Sequence, residues 1–270
     1  MNPCLLSAFT VTIPQFAACL LFVAAAVLSS QLALTGFQRW AGKHKLGFHN
    51  EVASVVFGCI SLIYSLVLAF VVVAVWDDYN DLSKTIEEEA DKLNSILAHT
   101  SSLSRDIQLN FDTAISNYCG RVVDEEWQMK GEDQQQPSAI PCLRKFLLTR
   151  PPRNEIEKNI FPVVDDDLSK ISDLRRQRLG HSHSQMPYMV WFVLDGGTIL
   201  LVLFFFFLSV PSLRLKRIYL AFLVGCVAMC MFLVYMLDHP FDDENGISNR
   251  LYRNIKAELN SPDRKLPCSK

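Results

Sequence analysis

The stretch Ala53–Leu97 reads ASVVFGCISLIYSLVLAFVVVAVWDDYNDLSKTIEEEADKLNSIL, and the fold turns on where its helix ends. The first 24 residues, Ala53 to Trp76, carry no charge. About 20 apolar residues, each rising about 1.5 Å, suffice to cross the ~30 Å hydrocarbon core, so this half predicts a membrane-spanning helix. The second half is densely charged. Even so, Leu82, Ile86, Ala90, Leu93 and Leu97 recur at spacings of three and four, which marks an amphipathic helix. No glycine occurs between Gly58 and Gly120, and no proline between Pro14 and Pro137, so nothing halts the helix at Trp76. The pattern predicts one rod, roughly 65 Å long, that leaves the membrane and continues in water.

Half of the 270 residues are apolar, and the formal net charge is only −2. Four apolar runs are long enough to span a bilayer: Val11–Leu34, Ala53–Trp76, Tyr188–Val210 and Ile218–Leu237. The predicted fold class is therefore all-α, a four-transmembrane-helix membrane protein with a helical extramembrane domain between the second and third spans. The expected divisions are a transmembrane hairpin over 1–76, the extramembrane domain over 77–186, a second hairpin over 187–240 and a tail over 241–270. The first run is not expected to be a cleaved signal peptide, because no Lys or Arg precedes Arg39. Scattered basic residues without interleaved aromatics give no footprint for nucleic acid. The expected partners are the lipid bilayer of the cell (inner) membrane and further copies of the chain.

In the polar segment, Leu103, Ile107, Phe111, Ile115, Tyr118 and Val122 hold helical spacing after a turn near Thr100–Ser102. Gly131–Pro141 has the composition of a loop, and a short helix near Leu143–Leu148 is expected to stop at Pro151–Pro152. A further helix is predicted over Asp166–Leu179 with Leu168, Ile171 and Leu174 inward, and a weaker pattern covers Ile247–Leu259. The residues Thr35–Asn50 read as a connecting loop, and Pro14 as a first-turn proline of the first helix. No CxxC pair occurs among the eight cysteines; Cys119 and Cys142 could pair only if their side of the membrane is oxidising.

Charge bears on sidedness. The short loops Thr35–Asn50 and Pro211–Arg217 hold six basic residues, so the positive-inside rule places them in the cytoplasm and the 77–186 domain outside.

Ser54, Gly58, Ser61, Ser65 and Ala69 fall on one stripe of the second span. Such residues form either a close-packing seam or a wall facing water, where apolar rings such as Leu62 and Leu66 gate by dewetting. Asp195 lies a few residues inside the third span, where an ionisable group faces protein or water. Asp77, Asp78, Asp238, Asp242, Asp243 and Glu244 emerge on one side together with Arg175, Arg176 and Arg178. Their plain expectation is a rim of solvated charge; the sharper one is a Ca²⁺ site at Asp242, Asp243 and Glu244. Otherwise no cofactor is expected. His181 and His183 lack a third ligand, and no nucleophile–base pair or phosphate loop occurs, so no enzyme is expected.

Three blocks resemble the bacterial bestrophin-like membrane proteins. They are Asn50-Glu51 with Gly58, Tyr64, Ala69-Phe70, Trp76, Tyr79 and Glu89-Ala90; then Arg175-Arg176-x-Arg178; then Leu237-Asp238-x-Pro240-Phe241. More distantly, Trp76-Asp77-Asp78-Tyr79 and Pro240-Phe241 before an acidic run are similar to motifs of the bestrophin anion channels. The resemblance implies a pentameric ring passing anions, with the second span lining the pore and a constriction near Gly58, Leu62 and Leu66, beside Ser61 and Ser65. The bestrophin phenylalanines are absent there, and the acidic run is shorter. Bestrophins also keep the long segment cytosolic, against the loop charges. From a different class, a non-conducting scaffold or sensor whose helical domain binds a partner fits the same rod.

Overall fold

The computed structural model describes the backbone of residues 3–44, 50–127, 139–183, 186–241 and 247–261, and within the first helix the side chains of 16–40. Every regular element among these residues is helical. In order they are α1 (Pro3–His44), α2 (Asn50–Thr100), α3 (Arg105–Arg121) running into a π-helical turn (Val122–Glu126), α4 (Ala139–Thr149), α5 (Glu155–His183), α6 (Tyr188–Phe207), α7 (Leu213–Asp238) and α8 (Arg250–Asn260). Four of them, α1, α2, α6 and α7, are long and apolar enough to cross a membrane. The helix across Ala53–Leu97 is unbroken, as its lack of glycine and proline predicts. It ends at Thr100, whose hydroxyl donates back to the carbonyl of Ile96, and the expected turn follows.

The chain divides into two compact units. The first, Met1–Asp77 with Met186–Gly246, holds the four apolar helices. Here α1 packs along α7, and a core of Leu34, Phe205, Phe206, Leu220 and Val224 is flanked by Phe37 and Phe57. Phe37 meets the edge of Phe207 at 5.2 Å between centroids. Between lipid-embedded helices such packing replaces the hydrophobic effect as the source of affinity, since lipid is as apolar as leucine. At the base of α7, Lys216 turns inward and donates to the carbonyls of Phe206 (2.9 Å) and Leu208 (2.7 Å). It thereby satisfies groups that the end of α6 leaves without helical partners.

The second unit, Asp78–Gln185 with Ile247–Lys270, buries one face of each of its helices. Leu82, Ile86, Ala90, Leu93 and Ile96 come from α2, Ile107, Phe111 and Ile115 from α3, and Val164, Leu168 and Ile171 from α5. Tyr252 and Ile255 of α8 complete this core. Each of the leucine, isoleucine, valine and phenylalanine side chains contributes on the order of 1.5–3 kcal/mol when fully withdrawn from water.

Several boundaries differ from expectation. The supposed loop Thr35–Asn50 is helical as far as His44, because Arg39 ends the apolar span without ending the helix. Pro14 accordingly lies well inside α1, not in its first turn. The helix expected over Asp166–Leu179 begins at Glu155. Asn154 Oδ1 accepts from the Glu157 amide at 2.7 Å, and Glu157 accepts from the Arg153 amide at 2.7 Å, a reciprocal cap that starts the helix early. Pro162 then sits inside α5, forgoing one backbone bond while Phe161 and Val164 stay buried. The expected loop Gly131–Pro141 is already helical from Ala139; residues 131–138 lie outside the described ones. Inward positions also shift by one, with Ile96 buried in place of Leu97. Leu174 is only half-buried.

Candidate functional site

Within the apolar half of α2, Tyr64, Leu68 and Val75 turn toward the other helices of the first unit. Successive residues of an α-helix are about 100° apart, so the stripe Gly58, Leu62, Ser65, Leu66 and Ala69 points away from them. These five residues are exposed on the protomer, Leu62 at 72% and Leu66 at 57%, while Ser61 sits half-buried at the stripe's edge. No neighbouring atom approaches Gly58 within 4 Å of where a Cβ would stand. Each serine hydroxyl is satisfied by its own helix: Ser54 donates to Glu51 O at 2.8 Å, Ser61 to Phe57 O at 2.7 Å and Ser65 to Leu62 O at 2.9 Å. The result is a face with hydroxyl oxygens able to accept further bonds beside bare leucines, within a broader exposed side of α2 that also carries Cys59, Ile63 and Phe70. Asp195 of α6 is exposed on the protomer as well.

On the opposite flank, Tyr64 makes the polar contact between α2 and α6. Its hydroxyl lies 2.7 Å from Thr198 Oγ1, and the Thr198 hydroxyl reaches the carbonyl of Leu194 at 2.9 Å. Tyr64 donating to Thr198, which donates to Leu194, uses both protons in one chain.

The second unit holds a buried ionic cluster. Arg178 of α5, 1% exposed, donates through Nε to Glu89 Oε2 of α2 (2.9 Å) and through Nη2 to Glu126 Oε2 of the π-helical turn (2.8 Å). Arg175 binds the other oxygen of Glu126 through Nε (3.0 Å) and Nη2 (2.8 Å). Tyr118 donates its hydroxyl to Glu89, and the Arg178 guanidinium lies 5.7 Å from the centroid of the Tyr252 ring. Two carboxylates thus face two guanidinium groups, which is how buried charge is tolerated. Burial alone would raise the Glu126 carboxyl, but hydrogen bonds and charge from Arg175 and Arg178 outweigh it and hold it below its ordinary value. Burial also works against the charge of Arg178, yet the Glu89 carboxylate, together with Tyr252 and Tyr118, offsets it and raises its pKa well above the usual value. Desolvation, with Glu89 nearby, pushes Tyr118 and Tyr252 well up and Cys119 to about 12.

This arrangement corrects part of the expected rim of solvated charge, of which Asp77 and Asp78 are indeed exposed. Arg178 is among the most deeply buried side chains and Arg175 is largely covered, while Arg176 alone of the three is exposed, pairing with Asp173. Asp238 is also buried, accepting from the Met186 amide (2.8 Å) and Trp191 Nε1 (3.3 Å). Of the other motif residues, Asn50 opens α2, Glu51 and Trp76 are exposed, and Tyr79, Pro240 and Phe241 are half-buried. Asp242, Asp243 and Glu244, the expected Ca²⁺ ligands, lie outside the described residues. Among the described residues no group of three metal-ligating side chains forms. Cys119 and Cys142 are both free thiols, the first buried and the second exposed. Sequence reasoning does not find Glu126 or Tyr252; Glu126 is the third of three consecutive acids, Asp124-Glu125-Glu126, and only its place before Trp127 hints that one of them turns inward.

Fold and site together define a class: an integral membrane protein, all-α, with four spans and a helical extramembrane unit. The chain belongs to the bestrophin-like family, whose domain matches residues 20–251. Solved structures of a bacterial bestrophin homolog from Klebsiella pneumoniae share the fold. One variant aligns with a TM-score of 0.69 at 12% identity, covering 89% of this chain and 97% of that one. A second gives 0.68 at 14%, covering 91% and 99%. The form solved by zinc phasing gives 0.60 at 13%, covering 89% and 96%. No curated protein matches the sequence.

Proposed function

We propose that this protein is a multimeric ion channel with α2 as the pore wall. The observation that carries it is the outward stripe of α2: Gly58, Leu62, Ser65 and Leu66 are turned from the protomer's own helices, while Tyr64, Leu68 and Val75 are buried among them. In a ring of copies, as the family resemblance implies for a pentamer, that stripe surrounds the axis. The leucines then form the apolar constriction, and the serine oxygens solvate the ion near it. Anions are the ions the resemblance favours. Liposomes containing the purified protein test this by chloride flux. Flux that rises at least several-fold on Leu62→Ser or Leu66→Ser supports the pore wall; no flux, or flux indifferent to both, overturns it.

A second function is favoured by the exposed apolar residues Leu148, Ile156 and Val163 of the extramembrane unit, which suit a non-conducting scaffold or sensor that binds a partner there. Absent flux from a well-assembled oligomer supports that alternative. The side on which this unit lies is proposed as extracytoplasmic, from the basic short loops. Lys216 is spent on capping α6, but the exposed Arg214 and Arg217 still count toward that rule.

A further inference from the structure

The Tyr64 ring occupies a notch that exists because residue 197 has no side chain. A Cβ built on Gly197 would stand 2.5 Å from Tyr64 Cδ2 and 2.6 Å from Cε2, whereas ordinary contact begins at 3.4 Å. The ring is 8% exposed, and its hydroxyl is held by Thr198 one residue beyond the notch. The shape of α6 and a hydrogen bond therefore hold the same ring. About two turns away, Phe57 of α2 packs against Phe204 and Phe205 of α6, centroids 6.1 and 5.9 Å apart. Two points of attachment on one face of α2 leave that helix a single rotation about its own axis. Ser65 and Leu66 follow Tyr64 by one and two residues, about 100° and 200° around the helix from it. Both stand on the exposed side of α2 in the protomer.

We infer that Tyr64, seated against Gly197, is the positioning residue that sets the rotation of α2 and so selects which residues of the stripe face water. This rests on α2 being the pore wall. An added methyl at 197 forces the ring back by about 0.9 Å, from 2.5 Å to 3.4 Å. Because the helix is held elsewhere by Phe57, the shift is taken up partly as rotation.

The experiment uses full-length protein in liposomes with single cysteines introduced as Ser65→Cys or Leu66→Cys. A water-soluble thiol reagent is applied, and modification at each site is read by peptide mass spectrometry, which separates it from the native cysteines. The ratio of labelling at the two sites reports rotation, a quantity that loss of stability alone does not move. Gly197→Ala is expected to change that ratio at least threefold in protein that still assembles. Adding Tyr64→Val, which ends at the γ carbons, where the Tyr64 Cγ already sits an ordinary 3.8 Å from the notch, is expected to abolish this effect of the alanine. Should Gly197→Ala not assemble, Tyr64→Val alone needs no new space and is expected to bring the two rates within twofold of each other. A ratio unchanged by Gly197→Ala, or by Tyr64→Val where only that variant assembles, overturns the positioning role while leaving the pore wall standing. A ratio that shifts in protein without flux overturns conduction and supports the positioning role. No labelling at either site in any background overturns both.

Discussion

Replacing Arg178 by methionine removes one charge from the buried cluster and leaves side-chain bulk in place. Glu89, fully buried, would then keep only the Tyr118 hydroxyl, while Glu126 would retain Arg175. Breaking a buried ion pair by deleting one partner costs about 3–5 kcal/mol, because the surviving charge stays out of water. At about 2–4 °C per kcal/mol for a chain of this size, Arg178→Met should lower the melting temperature by roughly 6–20 °C. The assay is loss of the monodisperse peak after heating in detergent. Arg176→Met is the matched control: it removes the same charge from an exposed pair worth at most about 1 kcal/mol. Two further variants sharpen the result. Arg178→Lys keeps the charge but not the planar fork and should fall in between. Arg178→Met with Glu89→Leu should recover part of the loss, since neither charge is left stranded. Arg178→Met melting within about 2 °C of Arg176→Met would refute the role given to the cluster.

The same cluster predicts a pH window. Glu126 is depressed, so its contribution is present above the ordinary carboxylate pKa and disappears as pH falls through the lower folded value. Tyr118 and Tyr252 are raised, so theirs is complete below the ordinary tyrosine pKa and lost as pH climbs through the higher folded one. Melting temperature against pH should therefore be flat between these limits and fall at both ends, and Glu126→Gln should blunt the acid limb. Lys216→Met should cost roughly 2–3 kcal/mol, leaving two carbonyls at the end of α6 unpaired, as read by the same heating assay. An impermeant maleimide applied to intact cells should label the exposed Cys142 if the extramembrane unit is outside, and spare the buried Cys119 until the protein is denatured.

The four spans were legible because each requirement for crossing a bilayer is local: length, apolarity and the absence of a breaker. The unbroken α2 was legible for the same reason. Helix ends are less legible where the apolar run stops before the helix does, as between Leu34 and His44, or where a polar side chain starts a helix ahead of a proline, as Asn154 does before Pro162. The buried cluster was the hardest to see. Arg178 lies seven residues beyond Ile171 on the inward face of α5, so the periodicity pointed inside, but an arginine there reads as solvated until Glu89 and Glu126 are brought to it by other helices. The notch at Gly197 was equally hidden, since a glycine among apolar residues does not announce which neighbour uses the space.

Because α8 follows α7 in the chain, the core of the extramembrane unit is completed by residues made after the last two spans. Until Tyr252 arrives, the guanidinium of Arg178 and the ring of Trp127, 6.1 Å from Tyr252 in the finished fold, lack their covering surface. The unit is thus discontinuous in the chain: a polypeptide ending before α8 should leave this core open, and α8 is the element that closes it.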